Sequence, residues 1–185
     1  MENRALHLVL AFFLFPLPIL VIVPGILIWQ FGFEVPASGY WGYWVAKVFI
    51  PVGLATAGFS VVLFFIEGKG SPAPWCPPTK LLVRGPYRFV RNPMNLGVLL
   101  ALAGLSLVVT NPSIGIWCGI VFVLYVLNFI FIEEPALQKR FGDDYLLYKA
   151  NVGRIIPRLS GWDAPWMAKD DEDKTEDTKD EDKKE

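Results

Sequence analysis

Two short stretches of this chain carry the side chains that could do chemistry. One is Arg91-Asn92-Pro93, with Asn95 close behind it; the other is Glu133-Glu134-Pro135. Adjacent carboxylates at the end of an apolar run are costly unless they meet cations or water. An arginine can meet a carboxylate in a bidentate pair, and the amides of Asn92 and Asn95 can both donate and accept. Such a set suits a small zwitterionic or cationic molecule, with carboxylates for its ammonium or hydroxyls and arginine for its carboxylate. A structural ion pair would use the same residues, and spacing alone does not separate the two. His7 is the only histidine, and Cys76 and Cys118 the only cysteines. No metal-ligand spacing exists, and neither a zinc enzyme nor a disulfide framework is expected.

The elements that must position these residues are apolar. Of the 185 residues 54% are hydrophobic, and the mean hydropathy is +0.42, too apolar for an ordinary soluble domain. A hydrocarbon core of ~30 Å needs roughly 20 helical residues. The pattern predicts an all-α, polytopic membrane protein with four transmembrane helices, at about 5–29, 43–66, 94–110 and 114–132. The first contains Pro16, Pro18 and Pro24, which membrane helices tolerate when neighbours satisfy the freed carbonyls. It is too long for the apolar part of a signal peptide. The third is short for a full crossing. Asn111-Pro112-Ser113 is a turn, so the last two helices are expected as an antiparallel hairpin. Arg91-Asn92 and Glu133-Glu134 then come together at one membrane-level end of that hairpin.

Lys and Arg set the orientation. The loop from Gln30 to Trp41 has none. Lys69, Lys80, Arg84, Arg88 and Arg91 lie between the second and third spans; Lys139, Arg140, Lys149, Arg154 and Arg158 follow the fourth, and Arg4 precedes the first. Four crossings put every basic segment on one face, which the positive-inside rule makes cytoplasmic, with both termini inside. Trp29, Trp41 and Trp44 fall at the opposite interface. The compartment, endoplasmic reticulum or plasma membrane, stays open.

The formal net charge of −1 averages two unlike regions. From Lys169 to Glu185, ten residues are acidic and five are lysine; the rest of the chain holds twelve basic and eight acidic residues. That tail, within an expected boundary of 163–185, has too little apolar surface to order itself. The basic body, residues 1–162, points to anionic membrane lipid as its partner rather than nucleic acid. No protein partner is indicated.

Two juxtamembrane segments, 67–97 and 133–158, flank the hairpin. The first is rich in proline up to Pro93, with a Gly85-Pro86 turn, so it must be extended, with Arg84, Arg88 and Arg91 at the lipid surface. It could equally serve only as an anchor on the headgroups. The second opens with Glu133-Glu134-Pro135 as a helix boundary. It continues as a C-terminal amphipathic helix with Leu137, Phe141, Tyr145 and Tyr148 at helical spacing, interrupted at Gly142-Asp143-Asp144.

Gly85-Pro-Tyr-Arg-Phe-Val-Arg-Asn-Pro-Met-Asn-Leu-Gly97 resembles the Gly-x-Tyr…Arg-His-Pro-x-Tyr-x-Gly signature of isoprenylcysteine carboxyl methyltransferase-like proteins. These are similar to the phospholipid methyltransferases of the same membrane group. Glu133-Glu134 with Leu137, Phe141-Gly142, Tyr145, Tyr148 and Pro157 resembles the second signature, and Gly68-x-Gly70 looks like a Gly-x-Gly element of the phospholipid branch. The resemblance runs from about Glu67 to Arg158. It implies S-adenosylmethionine as methyl donor, with Gly68, Gly70, Arg91, Asn92, Pro93, Asn95, Gly97, Glu133 and Glu134 at or near it. Tyr145, Tyr148 and Arg154 would close over it. It also implies an acceptor that enters from the bilayer, lipid or lipidated, with Glu133, Glu134 and Arg91 as the catalytic set. Asn92 stands where the family often has His, and Asn95 where it usually has Tyr. Neither can act as a base near neutral pH. A non-catalytic scaffold with an altered motif is the competing expectation.

Overall fold

A computed structural model describes residues 17–32, 39–66, 81–109 and 111–167. Gly68, Gly70, Cys76, residues 5–16 of the expected first span and the acidic tail lie outside the described residues. Those described are helical, with no strand among them. A π-helical turn, Pro18–Ile22, leads into α1 (Val23–Phe31). Next come α2 (Trp41–Ile66), a 3-10 turn (Gly85–Arg88), α3 (Pro93–Val108) and α4 (Pro112–Asn128). A second π-helical turn, Phe129–Glu133, runs straight into α5 (Glu134–Asn151). Prolines mark the starts: Pro93 and Pro112 stand in the first turns of α3 and α4, where a missing N–H costs nothing. Asn92 and Asn111 cap those turns, their side chains accepting from the N–H groups of Asn95 at 3.2 Å and Ser113 at 2.9 Å.

Two helical runs, Trp41–Leu63 and Pro112–Asn151, are long and apolar enough to cross a membrane; Pro18–Phe31 and Pro93–Val108 are shorter apolar helices. Only 17% of either long run's apolar window is buried inside the protein. Val48, Leu54, Ile116, Leu124 and Phe131 all face outward. A core helix of a soluble protein would hide such residues; a helix whose solvent is lipid need not. At one end of α2, the Lys47 ammonium sits 4.6 Å from the ring centres of both Tyr43 and Trp44, which shields its charge beside the apolar stretch.

The short third helix is the expected one, and it leans chiefly on α2. A Cβ on Gly97 would lie 2.5 Å from the Gly53 carbonyl oxygen, and one on Gly104 would lie 2.7 Å from Ile50. Small residues let the two backbones approach, the usual basis of helix pairing in lipid. Toward α4 the contact is confined to one end, where Leu102, Val109, Ile114 and Val121 form a buried cluster.

Two features differ from expectation, and the interruption expected at Gly142 proves to be a reversal. Glu133-Glu134 is no helix boundary: the chain stays helical from Pro112 to Phe141, because a π turn absorbs one extra residue instead of breaking the helix. The helix then reverses further on. In a straight helix Glu134 and Lys149 would be separated by ~22 Å, yet their charged atoms are 2.9 Å apart. The reversal falls at Gly142, whose φ of 53° and ψ of −125° only glycine adopts readily. Finally, the packed fold passes the expected boundary at residue 162. Asp163 pairs with Arg88 at 2.6 Å and Ala164 is buried. Trp162 stacks on Tyr148 and meets Trp166 edge-on. Aromatic area keeps residues 163–167 in the fold, and the charge-rich tail begins after them.

Candidate functional site

The site forms where the chain before α3 meets the π turn after α4. On its far side the chain after α5 runs back beside it. The Arg91 N–H donates to the Gly153 carbonyl (2.9 Å), Arg158 N–H to Phe89 (2.9 Å) and Trp162 N–H to Arg88 (3.0 Å). Residues 81–92 and 152–162 thus brace each other in antiparallel order. Tyr148 locks the pair, its hydroxyl donating to the Tyr87 carbonyl at 2.7 Å. Tyr87 is itself buried; loss of hydration, reinforced by neighbouring Tyr148, holds its hydroxyl well above the ordinary tyrosine range.

Glu133 and Glu134 follow one another on a helix, so their side chains diverge and meet different partners. Glu134 is 4% exposed. Its Oε1 accepts from Arg91 Nη1 at 3.0 Å and Arg154 Nε at 2.8 Å, while Lys149 Nζ lies 2.9 Å from Oε2. Three cations converge on one carboxylate, which is the condition for burying it. Arg91 also donates to the hydroxyl of fully buried Tyr145 at 3.2 Å. Beneath, Phe129 receives both guanidinium groups at its ring, Arg91 at 5.7 Å and Arg154 at 6.0 Å.

Among the described residues, the donors to Glu133 are neutral. Asn128 Nδ2 donates to it at 2.7 Å and Asn92 Nδ2 at 3.4 Å. Asn128 stands five residues before Glu133, and the i to i+5 spacing of the π turn is what puts both on one face.

Beside these groups lies a shallow, open cleft. Asn92, Asn95 and Arg154 give it a polar end; Leu96 and Leu99 of α3 and Phe122 and Val126 of α4 carry it on as an apolar groove. Leu99 and Tyr125 join this cleft to the buried cluster between α3 and α4.

A family model, phospholipid methyltransferase, matches residues 41–144. The chain belongs to the phospholipid methyltransferase family. It is a membrane protein of a methyltransferase family. No curated protein and no solved structure matches it. The matched region holds both Arg91-Asn92-Pro93 and Glu133-Glu134 but ends before Tyr145, Tyr148, Lys149 and Arg154, whose place beside the motifs rests on geometry alone.

Among the residues expected at the site, Arg91, Asn92, Asn95, Glu133, Glu134, Tyr145 and Arg154 come together. Tyr148 faces the bracing loop. Pro93 starts α3, and Gly97 lies against Gly53 and Ala57 of α2, where packing accounts for the missing side chain. Gly68 and Gly70 lie outside the described residues. Asn128, Phe129 and Lys149 are the site's unforeseen members. A polar residue inside an apolar span was the one available signal for Asn128; Lys149 gave none beyond its charge.

Proposed function

We propose that this chain is a four-span, S-adenosylmethionine-dependent methyltransferase. It acts on a lipid or lipidated acceptor at the cytoplasmic membrane face, with both termini on that side. The observation that carries this reading is the meeting of Arg91-Asn92 with Glu133-Glu134, distant in sequence and both inside the family match, beside a cleft lined by Asn92, Asn95, Arg154 and apolar residues. The donor set fits the cofactor's chemistry. Arg154, Asn92 and Asn95 line the cleft together with Tyr125 and Phe129, and a guanidinium, amides and aromatic rings are the groups that would meet the cofactor's carboxylate, hydroxyls and base. Arg91 Nε is buried with no hydrogen-bond partner among the described residues, a donor left over at the site.

S-adenosylmethionine, when bound, supplies an electrophilic methyl group on a sulfonium. What the protein must add is alignment and exclusion of water. Glu134 fixes Arg91 and Arg154 in place and is a positioning residue. Glu133, held by two amides and by no cation among the described residues, is the carboxylate able to take a proton from an ammonium acceptor. A carboxylate acceptor would need no such step. The groove along Leu96, Leu99, Phe122 and Val126 suits a hydrocarbon chain entering sideways from the bilayer.

Incubating membranes that contain the protein with radiolabelled methyl donor, then separating lipid, protein and volatile fractions, tests this reading. Label is expected in the lipid fraction, and label in protein alone would move the acceptor to a lipidated cysteine. No label, together with no heat on titration with S-adenosylhomocysteine, would sink the enzymatic reading in favour of a scaffold. The topology is tested separately by accessibility of single introduced cysteines in the loop near Gly39 and in the chain after Met167. Both reacting from the same side would refute it.

A further inference from the structure

The chain between α5 and the C-terminal aromatic cluster makes a bend, Arg154-Ile-Ile-Pro-Arg-Leu159. Its outward residues are the wrong ones for water. Ile156 is 81% exposed and Leu159 is 105% exposed, as open as in an extended peptide. Single exposed aliphatic residues are ordinary, but two on one bend, fixed around an exposed proline, present a small rigid apolar tip. The bend is not loose: Gly153 accepts from Arg91, and Arg158 N–H donates to Phe89. Those bonds set its depth. Arg91 is two residues before Pro93, where α3 begins, and Glu134 follows Ile132, the outward-facing end of the apolar run. The bend therefore sits level with the ends of the membrane helices.

Its charge has the matching sign. Arg158 Nη1 donates to the Asn151 carbonyl, a neutral acceptor, so its positive charge is not cancelled there. Asn151 carries no charge, and the facing segment at Phe89 supplies only backbone. On the bend's inner side, Arg154 and Ile155 line the cleft. One short segment thus walls the cleft with one face and shows aliphatic side chains flanked by arginine with the other.

We propose that this bend is an interfacial anchor. Ile156 and Leu159 insert among the upper acyl chains of the adjoining leaflet, and Arg158 binds the phosphates of anionic phospholipid. Amphipathic insertion of this kind combines apolar burial with headgroup attraction. It would place the cleft's polar end at headgroup depth, so that a lipid reaches it without leaving the bilayer. The anchor does not depend on the methyltransferase reading, since a scaffold with the same bend would insert equally.

The test uses the full chain in vesicles, with Leu159→Cys carrying an environment-sensitive dye in a Cys76→Ser, Cys118→Ser background. Leu159 makes no contact a dye would disturb, so folding is not at issue. The dye is expected to be quenched by phospholipid brominated high on its acyl chains and shielded from aqueous iodide. Shielding should deepen when phosphatidylglycerol replaces part of the phosphatidylcholine, and Arg158→Gln should remove that increment while leaving quenching in neutral vesicles. Iodide access equal to that of free dye, with no quenching by brominated lipid, overturns the insertion. Quenching that ignores lipid charge in both proteins overturns the role of Arg158.

Discussion

The two carboxylates are neighbours in sequence and differ in circumstance, and a pair of substitutions separates them. Glu134→Gln leaves Arg91, Arg154 and Lys149 converging on an uncharged amide. Breaking a buried pair by removing one partner costs about 3–5 kcal/mol. Arg154 and Lys149 are about a third exposed, so water screens part of that loss and the figure is an upper one. Thermal unfolding in detergent should show a marked fall, with cofactor binding lost as Arg91 and Arg154 move. Glu133→Gln keeps an acceptor for Asn128 and Asn92 and should cost less than about 1 kcal/mol. It should nevertheless slow methylation of an amine while sparing affinity for S-adenosylhomocysteine. Equal stability losses in the two variants would contradict this division.

At the scale of elements, two glycines hold the geometry for different reasons. Gly97→Ala places a Cβ 2.5 Å from the Gly53 carbonyl oxygen and 2.6 Å from the Ala57 nitrogen. Backbone cannot yield as a side chain can, so α2 and α3 must separate, at a cost of about 1–3 kcal/mol. Thermal denaturation reads that cost. Gly142→Ala meets no atom within 4 Å, yet its backbone lies where L residues are strained, costing about 1–3 kcal/mol. The two losses should be similar in size and differ in reach. Hydrogen exchange should speed up throughout α2 and α3 in the first variant. In the second it should speed up only in the returning arm that carries Tyr145 and Lys149. Uniform acceleration in Gly142→Ala would deny that it is the pivot.

For the whole molecule, solvent and pH act on different parts. The long helices present apolar side chains outward, so transfer from lipid or detergent to water should aggregate the protein rather than unfold it reversibly. Its pH response includes Tyr87, which joins the loop before α3 to Tyr148 of α5. Its folded pKa is raised, so the folded state holds a proton that the unfolded chain releases. That contribution is complete below the ordinary tyrosine value of 10.0 and declines as pH rises past it. Denaturation midpoints in detergent should be insensitive to this group near neutrality and fall above about pH 10, and Tyr87→Phe should flatten that alkaline fall. An alkaline limb unchanged in Tyr87→Phe would assign it to other groups.

Hydropathy and helix signals determined α2, α3 and the start of α4 by themselves, because lipid leaves the backbone few other ways to satisfy its hydrogen bonds. The edges of α2, the shortness of α3 and the start of α4 at Asn111-Pro112 all follow from local residues that lack alternatives. Motif spacing also singled out Arg91-Asn92 and Glu133-Glu134, since charge beside an apolar run is conspicuous. Only the tertiary structure decided what each residue meets. Nothing local announces that α3 rests on α2 through Gly53 and Gly97, as glycine is read locally as a break. Nothing local shows that Phe129–Glu133 is a π turn, which sends Glu133 to Asn128 and leaves Glu134 for three cations. The reversal at Gly142 and the return of residues 152–167 along the loop before α3 are long-range choices, made by aromatic burial and by the need of one buried carboxylate for counter-charge. They turn two motifs some forty residues apart into one site.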